Sequence, residues 1–230
     1  MSRATSNREL KRSIRVNQKL GVRRPARRRQ QASPHQHRGD GLAVGCHFDA
    51  PEVWHEPKED GELQIVVERP GSGYTHVVTA GEIRDRVEQL PAEYRESLDV
   101  VQLSRMTRKR RLFPCYGLQW GTAVYLYPIE ESLQELYTRP PRPAQRIETE
   151  MFGGRWVQDG AMWRLIWTFN TVRDYVLNNV LIHEIGHIND SRNTSFRKRE
   201  RFADWFAIEY GYRATGGKQG RVMAKHTGQR

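Results

Sequence analysis

The chain holds only two cysteines, Cys46 and Cys115, with 68 residues between them and no CxxC pair. That excludes a disulfide framework and leads us to expect a reducing, cytoplasmic setting. No apolar run reaches the about 18 residues of a membrane-spanning helix, so no membrane partner is expected. No apolar stretch follows the basic residues near the start, which speaks against a secretory signal. No period of about 20 to 50 residues recurs, so repeat architectures drop out. Acidic residues are almost missing from the first forty positions, where only Glu9 and Asp40 occur.

Those forty positions hold positive charge instead. Twelve Lys and Arg against two acids leave a surplus of +10, so residues 41 to 230 carry only +1 of the total of +11. The pI of about 10.0 therefore describes the tail rather than the rest. The tail lacks periodic apolar residues and is rich in Arg, Gln, Ser and Pro, a composition that cannot offset its ordering entropy by burial. Residues 1 to 40 are expected to be disordered, with Arg23, Arg24, Arg27, Arg28 and Arg29 as a cluster suited to salt-dependent phosphate contacts with nucleic acid. A second basic run, Arg105 to Arg111, reads as a solvated loop.

Residues 41 to 230 read as one mixed domain. LQIVVE at 63 to 68, Leu98 to Leu103 and TAVYLY at 122 to 127 look like strands. Thr79 with Glu82 is a capping box that opens a helix ending before Pro91. Arg146 to Phe152 and Met162 to Phe169 suggest a hairpin about Gly153 and Gly154. Thr171 with Asp174 marks the start of a longer helical pattern, and the end of the chain, 213 to 230, reads as flexible. Tyr125, Trp163 and Trp167 are candidates for side-chain pockets or for the core under the helices.

The densest chemistry lies in HEIGH, residues 183 to 187, at the end of an apolar helical stretch. On a helix the four-residue step puts His183 and His187 on one face, within reach of a single Zn²⁺. Glu184 beside them is placed to take a proton from a metal-activated water. A catalytic zinc site needs a third protein ligand. Beyond a polar turn near Ser191 to Thr194, a second helical pattern runs from Ser195 to Tyr210 and stops at Gly211, which reads as a C-cap. If the two helices, about 171 to 211, form an antiparallel hairpin, residues equidistant from the turn face each other. That sets Glu200 opposite His187 and Asp204 opposite His183. Glu200 would complete a His₂Glu set with one position open, and Asp204 would hold the free ring N–H of a histidine. Asp190 is a rival ligand, but on a continuous helix it stands about 10 Å along the axis from His183.

HEIGH followed by ERFADWFA resembles the ImmA/IrrE-type metallopeptidases, and through ExxxD the wider gluzincin clan, over residues 165 to 212. It departs from that family in its short connection and in IEYGYR at 208 to 213, where the family ends Leu-Leu-Met-Pro. The resemblance implies His183, His187 and Glu200 as zinc ligands, Glu184 as general base and Asp204 as orienter. It also implies an α+β, zincin-like fold: a small, mostly antiparallel sheet packed against the active-site helix and a following helix. The expected function is a zinc endopeptidase acting on a protein or peptide substrate, with Tyr210 and Tyr212 as candidates for stabilising the oxyanion. The alternative is a nucleic-acid-associated regulatory protein whose tail binds and whose HExxH domain is sensory or inactive.

Overall fold

The computed structural model describes residues 50–56, 62–112 and 114–217. The basic tail with Arg23, Arg24, Arg27, Arg28 and Arg29 lies outside the described residues, as do Cys46 and 218–230. Among the described residues no helix is long and apolar enough to cross a membrane.

The centre is a four-stranded sheet. Strands β1 (Gln64–Val67), β3 (Val100–Leu103) and β5 (Ala123–Leu126) run parallel, and β4 (Gly117–Trp120) pairs antiparallel with β5 as an edge. The expectation of a mostly antiparallel sheet is thus corrected. Helices α1 (Ala80–Glu88) and α2 (Ala92–Arg95) lie in the link from β1 to β3, and a crossover of that kind returns the chain to the end from which it started. Parallel strands covered on both faces read as continuous apolar runs, and β3 and β5 are buried throughout. The other antiparallel pairings lie outside this sheet. β2 (Tyr74–Thr75) pairs with β6 (Ile129–Glu130), and a three-stranded sheet of order β7 (Gln134–Tyr137), β9 (Met162–Ile166), β8 (Arg155–Asp159) forms a second layer.

The expected strand at Arg146 to Phe152 is instead part of helix α4 (Pro143–Met151). Proline at its first position fixes a helical φ, and the helix closes at Gly153, whose φ of 86° suits only glycine. The hairpin is shifted along the chain. Asp159 faces Met162 across Gly160-Ala161, with Gly160 at φ 60°. A two-residue loop with glycine at its first position is one of the connections hairpins favour.

The long helix begins earlier than expected. α5 (Phe169–Tyr175) is capped by Thr168, whose hydroxyl accepts from the Thr171 N–H at 3.2 Å while the Thr171 hydroxyl accepts from the Thr168 N–H. Trp167 still donates to Leu133 O, so Thr168 is the first residue free of the ladder. From α5 the helix continues through a π-helical segment, Val176–Val180, into α6 (Leu181–Ile188). After a turn, α7 (Phe196–Phe206) runs into a second π-helical segment, Ala207–Arg213, so Gly211 lies inside a helix and caps nothing. Thr215 and Gly216 then close the chain back onto Gly211 and Arg213 carbonyls.

The basic run at 105 to 111 is corrected as well. It forms helix α3 (Arg108–Leu112), and Arg110 is buried beneath the sheet face that carries Val100, Leu118, Tyr125 and Tyr127. Its guanidinium lies 4.3 Å from the centre of the Tyr127 ring, and its Nε is 3.3 Å from Glu52 Oε1. Tyr127 and Thr107 hydroxyls also donate to Glu52. Burial by itself would raise the Glu52 carboxyl. Arg110 and the two hydroxyl donors outweigh burial and hold it below its ordinary 4.5. A depressed carboxyl stabilises the fold above its unfolded value, and that stability is lost as pH falls through the folded one. Glu52→Gln is expected to cost about 1–3 kcal/mol at pH 7. Urea unfolding should show the gap from the parent protein closing below about pH 4.5; a constant gap would count against the pairing.

Candidate metal centre

Helix α6 is apolar on nearly every side because it runs between the sheet and α7. Leu181 to His187 are all buried. Gly186 is what brings α7 close: a Cβ there would stand 3.0 Å from Phe206 Cβ and 3.1 Å from Ala203 Cα. The turn between the helices is pinned by side chains. Asp190 Oδ1 accepts from the Asn193 backbone and side-chain N–H groups at 3.1 and 2.9 Å. Asn189 Nδ2 donates to Tyr94 O and Ile185 O, and Arg199 Nη2 donates to His187 O at 3.2 Å. Asp190, the rival ligand, thus gives Oδ1 to the turn and does not join the convergent group His183, His187 and Glu200.

With the hairpin closed in this way, both pairings expected from its symmetry occur. His187 Nε2 stands 3.4 Å from Glu200 Oε1, and His183 Nδ1 stands 3.2 Å from Asp204 Oδ1. His183 Nε2 is 3.8 Å from Glu200 Oε2. Ligand atoms of His183, His187 and Glu200 all lie within 4.8 Å of one another. Bonds of about 2.0–2.2 Å to one tetrahedral ion put donor atoms about 3.3 Å apart, so two imidazole nitrogens and a carboxylate here could hold a metal ion. Asp204 engages Nδ1 of His183 and turns Nε2 toward Glu200, as a carboxylate behind a ligand histidine does.

The electrostatics of the cluster follow from burial against charge. Desolvation disfavours a charged His183, but the Asp204 hydrogen bond and the Glu184 and Glu200 carboxylates outweigh it and raise the ring to about 9. Three carboxylates around two buried imidazoles make a site that favours positive charge. Glu184 is itself buried and lies over β4. A Cβ at Gly117 would stand 2.9 Å from Glu184 Cγ and 2.7 Å from Val180 Cγ1.

One further acid sits beside the cluster, Glu148 on α4. It accepts from the Tyr175 hydroxyl at 3.2 Å and from Asn179 Nδ2, and burial raises its carboxyl to about 7 against the opposing charge of His183. Reading 146 to 152 as a strand hid it. Proline at 143 followed by AQRIETEM is the available helix signal, and it places Glu148 one turn from Gln145 and Phe152. The aromatic candidates fall elsewhere. Tyr125 and Trp167 are core residues and Trp163 packs partly buried against the core. The Tyr210 hydroxyl donates to Tyr94 Oη at 3.0 Å, and Tyr212 lies edge-on to Phe152.

Comparison with family models, characterised proteins and solved structures finds no match to this chain.

Gly117 is a direct handle on the contact between α6 and the sheet edge. Gly117→Ala is expected to cost about 1–3 kcal/mol through overpacking against Val180 and Glu184. Thermal unfolding at parent stability would show that the helix does not lie against β4 as described.

Proposed function

We propose that this chain is a zinc-dependent metallopeptidase with a zincin-like arrangement, in which a helical hairpin carrying HExxH and ExxxD lies beneath the edge strand of a sheet. One observation carries the reading: His183, His187 and Glu200 converge from two helices, with Asp204 behind His183 and Glu184 beside the ligands. In this reading Nε2 of each histidine and the Glu200 carboxylate hold the ion. When bound, zinc supplies Lewis acidity, lowering the pKa of water toward neutrality and polarising a carbonyl.

The chain's own residues do the rest. Asp204 accepts the Nδ1–H of His183, fixing its tautomer and the direction of its Nε2. Glu184, neighbour in sequence to a ligand yet not in the ligand set, takes the proton of the attacking water and delivers it to the departing amine. Among the described residues strand β4 pairs on one side only, with β5. Its other edge offers backbone groups to an extended peptide, the usual way a strand recruits a substrate chain. Gly117 at its start keeps the backbone close to Glu184. A protein substrate presented as a strand fits this geometry, and the resemblance of HEIGH and ERFADWFA to ImmA/IrrE-type enzymes supports a regulatory one. The surplus of +10 in residues 1 to 40 supports a separate, salt-dependent contact with nucleic acid.

Metal analysis should find about one zinc per chain, lost in His183→Ala and Glu200→Ala. Protein that neither carries nor takes up zinc would end the proposal. Glu184→Gln is expected to keep its zinc while its cleavage of an unfolded protein substrate falls by at least about a hundredfold; activity near the parent level would remove Glu184 from the proton path. For the tail, deletion of residues 1 to 40 should abolish a gel shift with duplex DNA at low salt, and an undiminished shift would place any such contact elsewhere.

A further inference from the structure

The two helices of the hairpin each contain a π-helical segment, Val176–Val180 ahead of HEIGH and Ala207–Arg213 behind ExxxD. A π turn closes its hydrogen bonds one residue further along than an α turn, so side chains beyond it face a new direction. Such segments are rare and recur at functional sites. Here the two lie against each other. A Cβ at Gly211 would stand 1.8 Å from Asn178 O, so only glycine permits the approach. Neither segment belongs to the HExxH or ExxxD motif.

One buried cation joins them. Arg86, on α1, is 5% exposed. Its Nε donates to Asn178 Oδ1 at 2.6 Å in the first segment, and its Nη2 donates to Tyr210 O in the second. Asn178 is held from its other end, its Nδ2 donating to Asp174 Oδ1 at 2.7 Å. Burial lowers the Arg86 guanidinium to about 10, with Asp174 opposing the shift, so Arg86 stays charged at neutral pH. A buried guanidinium of this kind is costly unless its donors are met.

Position along the hairpin gives the contact its meaning. The closed end is set by Asp190, Asn193 and Arg199, near His187 and Glu200. The open end is joined by Arg86, which meets Asn178 five positions before His183 and Tyr210 six positions after Asp204. The two histidine–carboxylate pairs lie between these fastenings. Rotation of either helix about its axis at the open end would carry His183 Nδ1 away from Asp204 Oδ1, now 3.2 Å apart. We infer that Arg86 is a positioning residue of the metal centre: by bridging Asn178 and the Tyr210 carbonyl it sets the mutual rotation of the two helices and thereby aligns His183 with Asp204 and Glu200. The inference rests on the metal-centre reading given above, and adds to it a residue nearly a hundred positions away in sequence.

The test uses the full chain and zinc itself. Arg86→Met removes both donors at similar length. Arg86→Lys keeps the charge but reaches only one acceptor, and it decides the matter should the methionine variant fail to fold. Val100→Ala, on the sheet face away from the hairpin, lowers stability without touching the hairpin. Zinc affinity, read by competition with a chelating dye, should fall about 10- to 100-fold in Arg86→Met. It should fall less in Arg86→Lys and stay at the parent value in Val100→Ala. A second reading needs no metal: the His183 imidazole N–H held by Asp204 should exchange slowly in the parent protein by NMR and rapidly in Arg86→Met. Parent-like zinc affinity together with an unchanged His183 N–H would overturn the inference. If the parent protein takes up no zinc, the metallopeptidase reading falls, and the N–H signal alone decides the role of Arg86.

Discussion

Histidines on one helix can meet carboxylates on another only if the helix axes come close, and in this protein that approach depends on Gly186. Any side chain at position 186 would press on Ala203 and Phe206, the residues of α7 that flank Asp204. The spacing of HExxH thus has two physical requirements. The histidines must share a face, and the residue between them must be small enough for the second helix to lie against that face. Once the helices touch, Glu200 and Asp204 fall opposite His187 and His183, and the charge of the cluster is set by the balance of burial against three carboxylates.

The sheet applies the same constraint from the other side. Gly117 opens the start of the edge strand to Val180 and Glu184, as Gly186 opens α6 to α7 and Gly211 opens one π segment to the other. At each of these three positions a glycine stands where two backbones or a backbone and a functional side chain converge, and none of the three has a positive φ. Their value lies in lacking a side chain rather than in conformational freedom. Two buried polar groups around the hairpin find partners in this way: Arg86 meets Asn178 and Tyr210 O, and Glu148 meets Tyr175 and Asn179. Unmatched, such groups would cost more than the packing contributes.

Much of this was legible in the chain. The periodicity of residues 172 to 188, the polar turn and the amphipathic run after Ser195 specify two antiparallel helices, and the arithmetic of an antiparallel turn places each histidine against its carboxylate. Local patterns failed where two signals competed. Gly153-Gly154 suggested a hairpin, but Pro143 begins a helix and Gly153 ends it, while Gly160-Ala161 makes the turn. Arg110 read as one of a solvated basic run because a sequence window cannot show that Glu52 and Tyr127 await it inside.

By itself the sequence determined the two helices, the face on which HEIGH presents its histidines and the uneven charge that separates a basic first forty residues from a nearly neutral remainder. These follow from interactions between residues a few positions apart, or from composition alone. Only the tertiary structure decided that the central strands run parallel, that Glu148 and Arg86 reach the helical hairpin, and that Gly211 marks a close approach instead of a helix end. Those outcomes depend on which distant segments fill the space around each helix, and a buried charge declares its partner only when the chain has folded around it.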